Sequence, residues 1–133
     1  MKFAKYTFLV AGIYGLLVLL PQYFLEAKIG VDSPPAITHP EFFYGFVGVG
    51  IAFQLVFLVI SLDPVKYSLF ILPSIVEKFS FAIAATALFL GGRLAGQMFV
   101  AAMIDALLGV LFIVSWFKLA GMNEVPIVSE SVN

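Results

Sequence analysis

The amino-acid sequence predicts an all-α fold, an integral membrane bundle of four antiparallel helices. Of its 133 residues, 62% are hydrophobic and only 11% are charged, whereas a soluble domain carries roughly 25% charged residues. The mean hydropathy is +1.11, and four stretches are apolar over the ~20 residues that a membrane-spanning helix needs. We therefore expect one transmembrane domain over residues 1–133, with the lipid bilayer as its solvent.

The same composition excludes several classes of function. The net charge is −1, so the chain has no basic patch of the kind that binds nucleic acid. It contains no cysteine, which rules out disulfides, thiolate catalysis and cysteine-based zinc or iron–sulfur sites. It contains one histidine. We expect no metal and no cofactor.

The first predicted helix covers residues 6–25 and follows two lysines, Lys2 and Lys5. The segment resembles a signal peptide, but the sequence LEA near its end places Leu25 where a cleavage site needs a small residue. We therefore expect the helix to be retained. The polar connection that follows, residues 26–41, is predicted to be a loop.

The second predicted helix, residues 42–62, begins after the stretch THPEFFYGF. Thr38 and Glu41 have the spacing of a capping box, in which the two side chains satisfy free amides at a helix terminus. Pro40 suits a first turn, where a missing N–H does no harm. The aromatic residues that follow are typical of a membrane interface, so the stretch indicates the start of a helix.

The third predicted helix covers residues 69–90. Asp63 and Pro64 match an N-cap and the first residue of a helix, which would start this helix before the membrane. Pro73 is expected to bend it, because a proline inside a helix removes one backbone hydrogen bond. The pair Gly91–Gly92 is predicted to end it.

The fourth predicted helix covers residues 97–117, and a polar tail, residues 118–133, follows it. The last stretch of the tail, NEVPIVSESVN, is predicted to be frayed. Helices associate in lipid through small residues that allow close approach of their backbones. Each predicted helix carries such a face, in chain order: Gly12 and Gly15; Gly45, Gly48 and Ala52; Ala82, Ala85 and Thr86; Ala101, Asp105 and Gly109.

The positions of the basic residues predict the orientation of the bundle. One end of the predicted bundle holds four basic residues, Lys2, Lys5, Lys66 and Lys118. The other end holds two, Lys28 and Arg93. Because cytoplasmic flanks carry the excess of lysine and arginine, both termini are predicted to be cytoplasmic.

Ionisable residues inside two of the predicted helices are the strongest functional signal. A charged group near the bilayer centre costs about 3 kcal/mol or more and is kept when it is paired, wetted or useful. Glu77 and Lys78 lie about eight residues into the third helix, and Asp105 lies about eight residues into the fourth, so all three fall near the midplane. Tyr14 and Gln54 are predicted to lie at the same level.

Two interpretations of this polar layer are open. In the first, Lys78 pairs with Asp105 while Glu77 is neutral or bonds to Gln54 or Tyr14, an arrangement suited to a ligand site or a proton relay. In the second, Lys78 extends toward the nearer water surface and the layer only fixes helix contacts. Gln54 and Tyr14 also fit plain helix–helix hydrogen bonding and packing.

The histidine of the THPE stretch, His39, is predicted to lie at the outer headgroup level, about 15 Å above the polar layer. Together with Glu41 and Arg93 it is a candidate for the mouth of a pocket. The alternative is that His39 belongs only to the start of a helix.

Five stretches, HPEFFYGF, LDPVKY, PSIVEKFSF, GGR and ID, together resemble uncharacterised small bacterial membrane proteins with four helices, over about residues 38–105. The resemblance implies a bacterial inner membrane and brings no activity with it. In size and helix count the chain is also similar to DoxX-like proteins and to the EXPERA group of sterol isomerase-like bundles. The latter group binds hydrophobic ligands among carboxylates and aromatics, but fold alone does not give function.

Four functions are weighed on these features. The leading interpretation is a non-catalytic accessory or structural bundle, as a homo-oligomer or within a larger membrane complex. The alternative is a binder of a lipid-like or quinone-like molecule through Glu77, Lys78 and Asp105. An enzyme acting on that ligand would use Glu77 or Asp105 as general acid or base, but no catalytic motif is recognisable. Proton or solute transport is the fourth, but a single four-helix chain leaves little room for alternating access unless it oligomerises.

Overall fold

Five α-helices and two short 3₁₀ turns make up the computed structural model, which describes residues 1–123; no strand occurs in that range. The helices are α1 (Lys2–Leu19), α2 (Glu26–Asp32), α3 (Pro40–Leu62), α4 (Ile71–Leu90) and α5 (Gly96–Asn123). The turn Leu20–Phe24 extends α1, and the turn Ser68–Phe70 leads into α4. With these turns included, four helical segments are long and apolar enough to cross a membrane.

The all-α prediction is confirmed, and the differences lie at the ends of the helices. α2 falls in the region predicted to be a loop, and its 7 residues are too few to cross a membrane. α5 continues past the predicted end at residue 117, because its last turns pack on α1: Leu119 is buried and the Lys118 ammonium lies 4.3 Å from the Phe3 ring centroid. The predicted fraying concerns residues that, apart from Asn123, lie outside the described part of the chain.

α3 begins where the sequence predicts, but without the predicted cap. His39, not Thr38, is the N-cap residue, and no side-chain hydrogen bond caps this terminus. Glu41 Oε1 instead lies 3.3 Å from His39 Nδ1. The capping-box prediction is wrong because the helix starts one residue later than that motif requires, with Pro40 as its first residue.

The connection between α3 and α4 also differs from the prediction. Asp63 caps a turn and not α4, since its Oδ1 accepts the backbone amide of Lys66 at 3.1 Å. α4 begins only at Ile71, so Pro73 lies in its first turn, where an amide has no intrahelical partner to lose. The expected reason for a bend is therefore absent. The predicted end at Gly91–Gly92 is confirmed, and Gly92 has the positive φ of 69° that favours glycine.

α1 and α3 form the first of two helix pairs, and the glycines of α1 make their contact close. Gly12 lies against Leu58, and Gly15 lies against the side chain of Gln54. A Cβ at Gly15 would overlap the Gln54 amide, so this position requires glycine. From Gly12 to Gly15 along α1, the contacted residue of α3 changes from Leu58 back to Gln54. The residue numbers run in opposite directions, so the pair is antiparallel.

α4 and α5 form the second antiparallel pair. Phe89 stacks on Phe99 beside the turn that joins the two helices, with ring centroids 4.2 Å apart. Further along, the Phe79 ring covers Gly109, where a Cβ would lie 2.7 Å from Phe79 Cε2. The predicted small-residue faces of α1, α4 and α5 thus lie in helix contacts.

The predicted small-residue face of α3 is wrong. Gly45 and Ala52 are exposed and Gly48 is half-buried, while the buried face carries larger side chains such as Gln54 and Phe57. The reason is that α3 meets α1 through another glycine, Gly50, where a Cβ would lie 2.8 Å from Leu19 Cδ1. Further along this contact, the glycines of α1 make room for larger side chains of α3 such as Gln54.

The two pairs meet in one hydrophobic core, which lies in the half of the molecule that holds the N-terminus. Phe8 of α1 stacks on Phe112 of α5 with centroids 4.2 Å apart, and Phe57 of α3 meets Phe112 edge-on at 5.0 Å. α4 contributes Ile71 to this core. The N-terminal amino group lies 3.5 Å from Met122 Sδ, so the start of α1 and the last turn of α5 share one end.

Candidate functional site

An ionic cluster of Glu77, Lys78 and Asp105 lies where α4 meets α5. Lys78 Nζ donates a hydrogen bond to Asp105 Oδ1 at 3.0 Å and lies 3.5 Å from Glu77 Oε2. Lys78 is only 3% exposed, and its ammonium lies 5.2 Å from the centroid of the Phe57 ring on α3. The lysine is therefore held inside the helices and does not extend to a water surface.

The sequence places these groups together through the small residues around them. Lys78 shares its face of α4 with Ser74, Ala82 and Ala85, which are all buried and leave room for the long lysine chain between the helices. Ser74 donates its hydroxyl hydrogen to the Phe70 carbonyl at 2.7 Å, and the Lys78 ammonium donates to Asp105. Glu77 points about 100° away on the helix, yet the length of the lysine chain brings the two charged ends together.

The cluster contains more acid than base. Two carboxyl groups face one ammonium, so full ionisation would leave one negative charge unbalanced. The Glu77 and Asp105 side chains are 19% and 18% exposed, and Glu77 Oε2 is buried without a hydrogen-bond partner. This oxygen lies 3.5 Å from the Lys78 ammonium in an ion pair but accepts no hydrogen bond. The cluster thus has an unused capacity to accept one hydrogen bond or one proton.

One face of α1 changes from buried to exposed along the helix. Ala4 and Ala11 are buried, whereas Val18, seven residues further, is 44% exposed. Seven residues make almost two turns, so these three positions lie on one face of the helix. That face is covered near the N-terminus and uncovered at the other end.

α5 shows the same change in the opposite chain direction. Leu119 and Phe112 are buried, Asp105 is half-buried, and Met98 is 45% exposed. Phe46 of α3 meets Phe81 of α4, with ring centroids 5.9 Å apart. We use the term inter-pair groove for the less covered faces of α1 and α5 at this end, which carry the exposed Val18 and Met98 and the half-buried Asp105.

Neither Gln54 nor Tyr14, the other members of the predicted polar layer, forms a side-chain hydrogen bond with the cluster within residues 1–123. Gln54 is buried between α1 and α3, and its Nε2 donates to the Gly50 carbonyl at 2.9 Å. Its Oε1 has no hydrogen-bond partner and faces Gly15, where the bare Cα offers at most a weak C–H contact. Tyr14 is half-buried on α1. Gln54 therefore contributes to the α1/α3 contact and not to the ionic cluster.

The three residues predicted for the mouth of a pocket, His39, Glu41 and Arg93, are all exposed. None of them lines either of two surface grooves. The first groove, of about 430 Å³, lies between α4 and α5 and is lined by Phe79, Ala82, Ile83, Thr86, Ala87, Leu90, Met103 and Ala106.

The second groove was not predicted from the sequence. It has a volume of about 620 Å³ and lies where the end of α1, α2 and the start of α3 come together; we call it the interfacial groove. It is lined by Tyr23, Phe24, Glu26, Ala27, Gly30, Val31, Ala36, Ile37 and Tyr44. Tyr44 donates a hydrogen bond from its hydroxyl to Glu26 Oε2 at 2.7 Å. The sequence signal for this groove is Glu26, a carboxylate that directly follows an apolar helix. At that position lipids at the membrane interface can reach it.

No protein-family model, no curated protein and no solved structure matches this chain. The resemblance to small bacterial four-helix proteins therefore stays a prediction.

Proposed function

We propose that this chain is an integral membrane protein that binds one lipid-like or quinone-like molecule in the inter-pair groove. The polar head of the ligand would lie at the Glu77–Lys78–Asp105 cluster. The observation that carries this proposal is the buried Glu77 Oε2, which lacks a hydrogen-bond partner although it lies beside a buried ammonium. The proposal requires no reaction to be catalysed.

The contacts of the cluster indicate the chemistry of the head group. Lys78 can donate to a carbonyl or hydroxyl oxygen, and Glu77 Oε2 can accept from a hydroxyl. A quinol or an isoprenoid alcohol offers such groups on an apolar body. Val18 and Met98 supply apolar walls above them, and an apolar groove with a few convergent polar atoms is the usual form of a small-molecule site.

A purely structural role explains the cluster less well. Lys78 and Asp105 alone would form a neutral pair that fixes α4 against α5. Adding Glu77 places a second carboxyl group at the same level, where an ionisable group costs free energy unless it is paired or used. A helix contact gains nothing from that additional group, whereas a ligand site does.

The binding proposal predicts that Glu77→Gln and Asp105→Asn weaken ligand binding. Added short-chain quinol should raise the melting temperature of the purified wild type, and the loss of one charge-assisted hydrogen bond should weaken its binding about tenfold in each variant. Glu41→Gln is the matched control, because Glu41 is an exposed carboxylate that lines neither surface groove. The proposal fails if purified protein carries no lipid-like molecule and Asp105→Asn leaves the quinol-dependent melting shift unchanged.

We further propose that both termini face the cytoplasm of a bacterial inner membrane. Lys66, Lys118 and the N-terminal lysines support this orientation under the positive-inside rule, and the contact of the N-terminus with Met122 supports a common end. The chain has no cysteine, so Asp32→Cys gives a single reporter. An impermeant maleimide should label it from outside intact cells; labelling only after the cytoplasm is opened would reverse the orientation.

An accessory role within a membrane complex is a second candidate, favoured by the exposed face of α3. Gly45 and Ala52 are exposed there, and a Cβ at Gly45 would meet no atom within 4 Å. Small residues on a lipid-facing surface allow another helix to approach closely. Such a helix could belong to a second copy or to another protein.

The accessory role predicts that bulk on this face disrupts association. Ala52→Leu should lower energy transfer between donor- and acceptor-labelled copies in vesicles, or remove a co-purifying protein. Val10→Leu is the control, since Val10 is an exposed residue of α1. Equal association in both variants would leave ligand binding as the better account.

A further inference from the structure

The interfacial groove combines one carboxylate with two aromatic rings. Glu26 is the first residue of α2, and its Oε2 accepts the Tyr44 hydroxyl. Tyr23, at the end of α1, stacks parallel to Tyr44 with ring centroids 6.0 Å apart and planes 12° from parallel. A carboxylate beside tyrosine rings is the combination that recognises an organic cation, through charge and through the ring faces.

No cation within residues 1–123 neutralises Glu26, which forms no salt bridge in that range. Lys28 is the nearest basic residue in sequence, and its ammonium is paired with Asp32 at 2.5 Å. Residues 124–133 contain no lysine and no arginine. Tyr44 satisfies one carboxylate oxygen with one hydrogen bond, so the other oxygen can accept from a ligand.

The position of the groove selects a lipid as the source of that cation. The helical extension of α1 ends at Phe24, and Tyr44 lies four residues after the start of α3, about 6 Å along the helix. These residues fall at the headgroup level if the helices span a bilayer. Phe24 and Val31 line the groove and are strongly exposed, so they offer contacts for acyl chains.

We propose that the interfacial groove binds the primary ammonium head group of an ethanolamine-type phospholipid. The ammonium donates a hydrogen bond to Glu26 Oε1 and lies near the rings of Tyr23 and Tyr44. A primary ammonium fits better than a quaternary one, because only the former can donate to the free carboxylate oxygen. This site is separate from the Glu77–Lys78–Asp105 cluster and does not depend on the ligand proposed there.

Native mass spectrometry of the full chain released from nanodiscs tests the proposal. The discs contain phosphatidylglycerol mixed with either phosphatidylethanolamine or phosphatidylcholine. Wild-type protein should retain phosphatidylethanolamine in preference to the other two lipids, and Glu26→Gln should reduce that retention about tenfold. Glu41→Gln is the control, because Glu41 is a carboxylate at the same end that does not line the groove.

Further arms make each outcome decisive. Tyr44→Phe keeps the ring and removes the hydroxyl that holds Glu26, so it should lower retention even if Glu26→Gln proves too unstable to measure. Glu77→Gln should retain phosphatidylethanolamine fully, which separates this site from the proposed quinol site. Equal retention in wild type, Glu26→Gln and Tyr44→Phe would overturn the proposal. So would complete competition by free ethanolamine at the lipid's own concentration, since the site would then take a soluble amine.

Discussion

Lys78 is the residue on which the ionic cluster depends. Its ammonium is the only positive charge in contact with the two carboxyl groups within residues 1–123, and it is almost fully buried. Removing one partner of a buried ion pair leaves the other charge uncompensated, which is far more costly than replacing both partners with apolar residues.

We therefore predict that Lys78→Met destabilises the protein by about 3 kcal/mol. The triple variant Glu77→Gln/Lys78→Met/Asp105→Leu should recover much of that loss, because it leaves no carboxylate of the cluster without its ammonium. Unfolding in mixed micelles of detergent and sodium dodecyl sulfate measures both free energies. A single variant as stable as wild type would show that Lys78 is not enclosed as described.

Gly15 offers a second test at the residue scale. A Cβ there would overlap the Gln54 amide, so Gly15→Ala should separate α1 from α3 and lower the melting temperature. Gly45→Ala is the matched control, because its Cβ would meet no neighbour and alanine favours a helix by roughly 1 kcal/mol over glycine. If the two alanine variants melt alike, the close contact of α1 with α3 is not as described.

The long helices could be predicted at the scale of elements because their signal is local. Some twenty apolar residues in a row specify a spanning helix without reference to any other part of the chain, and the pair Gly91–Gly92 marks an end by backbone geometry. α2 was missed, since its 7 residues have no apolar periodicity of that length. The prediction of the α3 cap was wrong because the N-cap residue is His39 and not Thr38, and this shift of one residue leaves the terminus without a side-chain cap.

The contact between α1 and α5 gives a prediction at the element scale. These helices touch near the termini, where Lys118 lies over Phe3, and leave Val18 and Met98 uncovered at the far end. A short bis-maleimide should therefore cross-link Phe3→Cys/Lys118→Cys efficiently and Val18→Cys/Met98→Cys poorly. Equal yields would show that α5 covers α1 along its whole length, and the inter-pair groove would not exist.

The arrangement of the whole molecule was only partly predictable from the sequence. The depth of Glu77, Lys78 and Asp105 followed from counting residues along helices, and the structure brings those three together. Gln54 and Tyr14 have the same computed depth, but depth does not specify which helices become neighbours. That choice depends on the fit of side chains such as Gln54 against the glycines of α1. The inter-pair groove likewise results from how far the helix pairs stay in contact, a long-range property with no local sequence pattern.

The central claim is that the ionic cluster serves a ligand held in the inter-pair groove. Its most direct test is native mass spectrometry of wild type, Glu77→Gln and Glu41→Gln, each purified in a mild detergent. The account predicts one additional lipid-like or quinone-like mass per chain on wild type and Glu41→Gln, and its loss from Glu77→Gln. A bare mass for wild type, or the same bound mass on all three proteins, would contradict it.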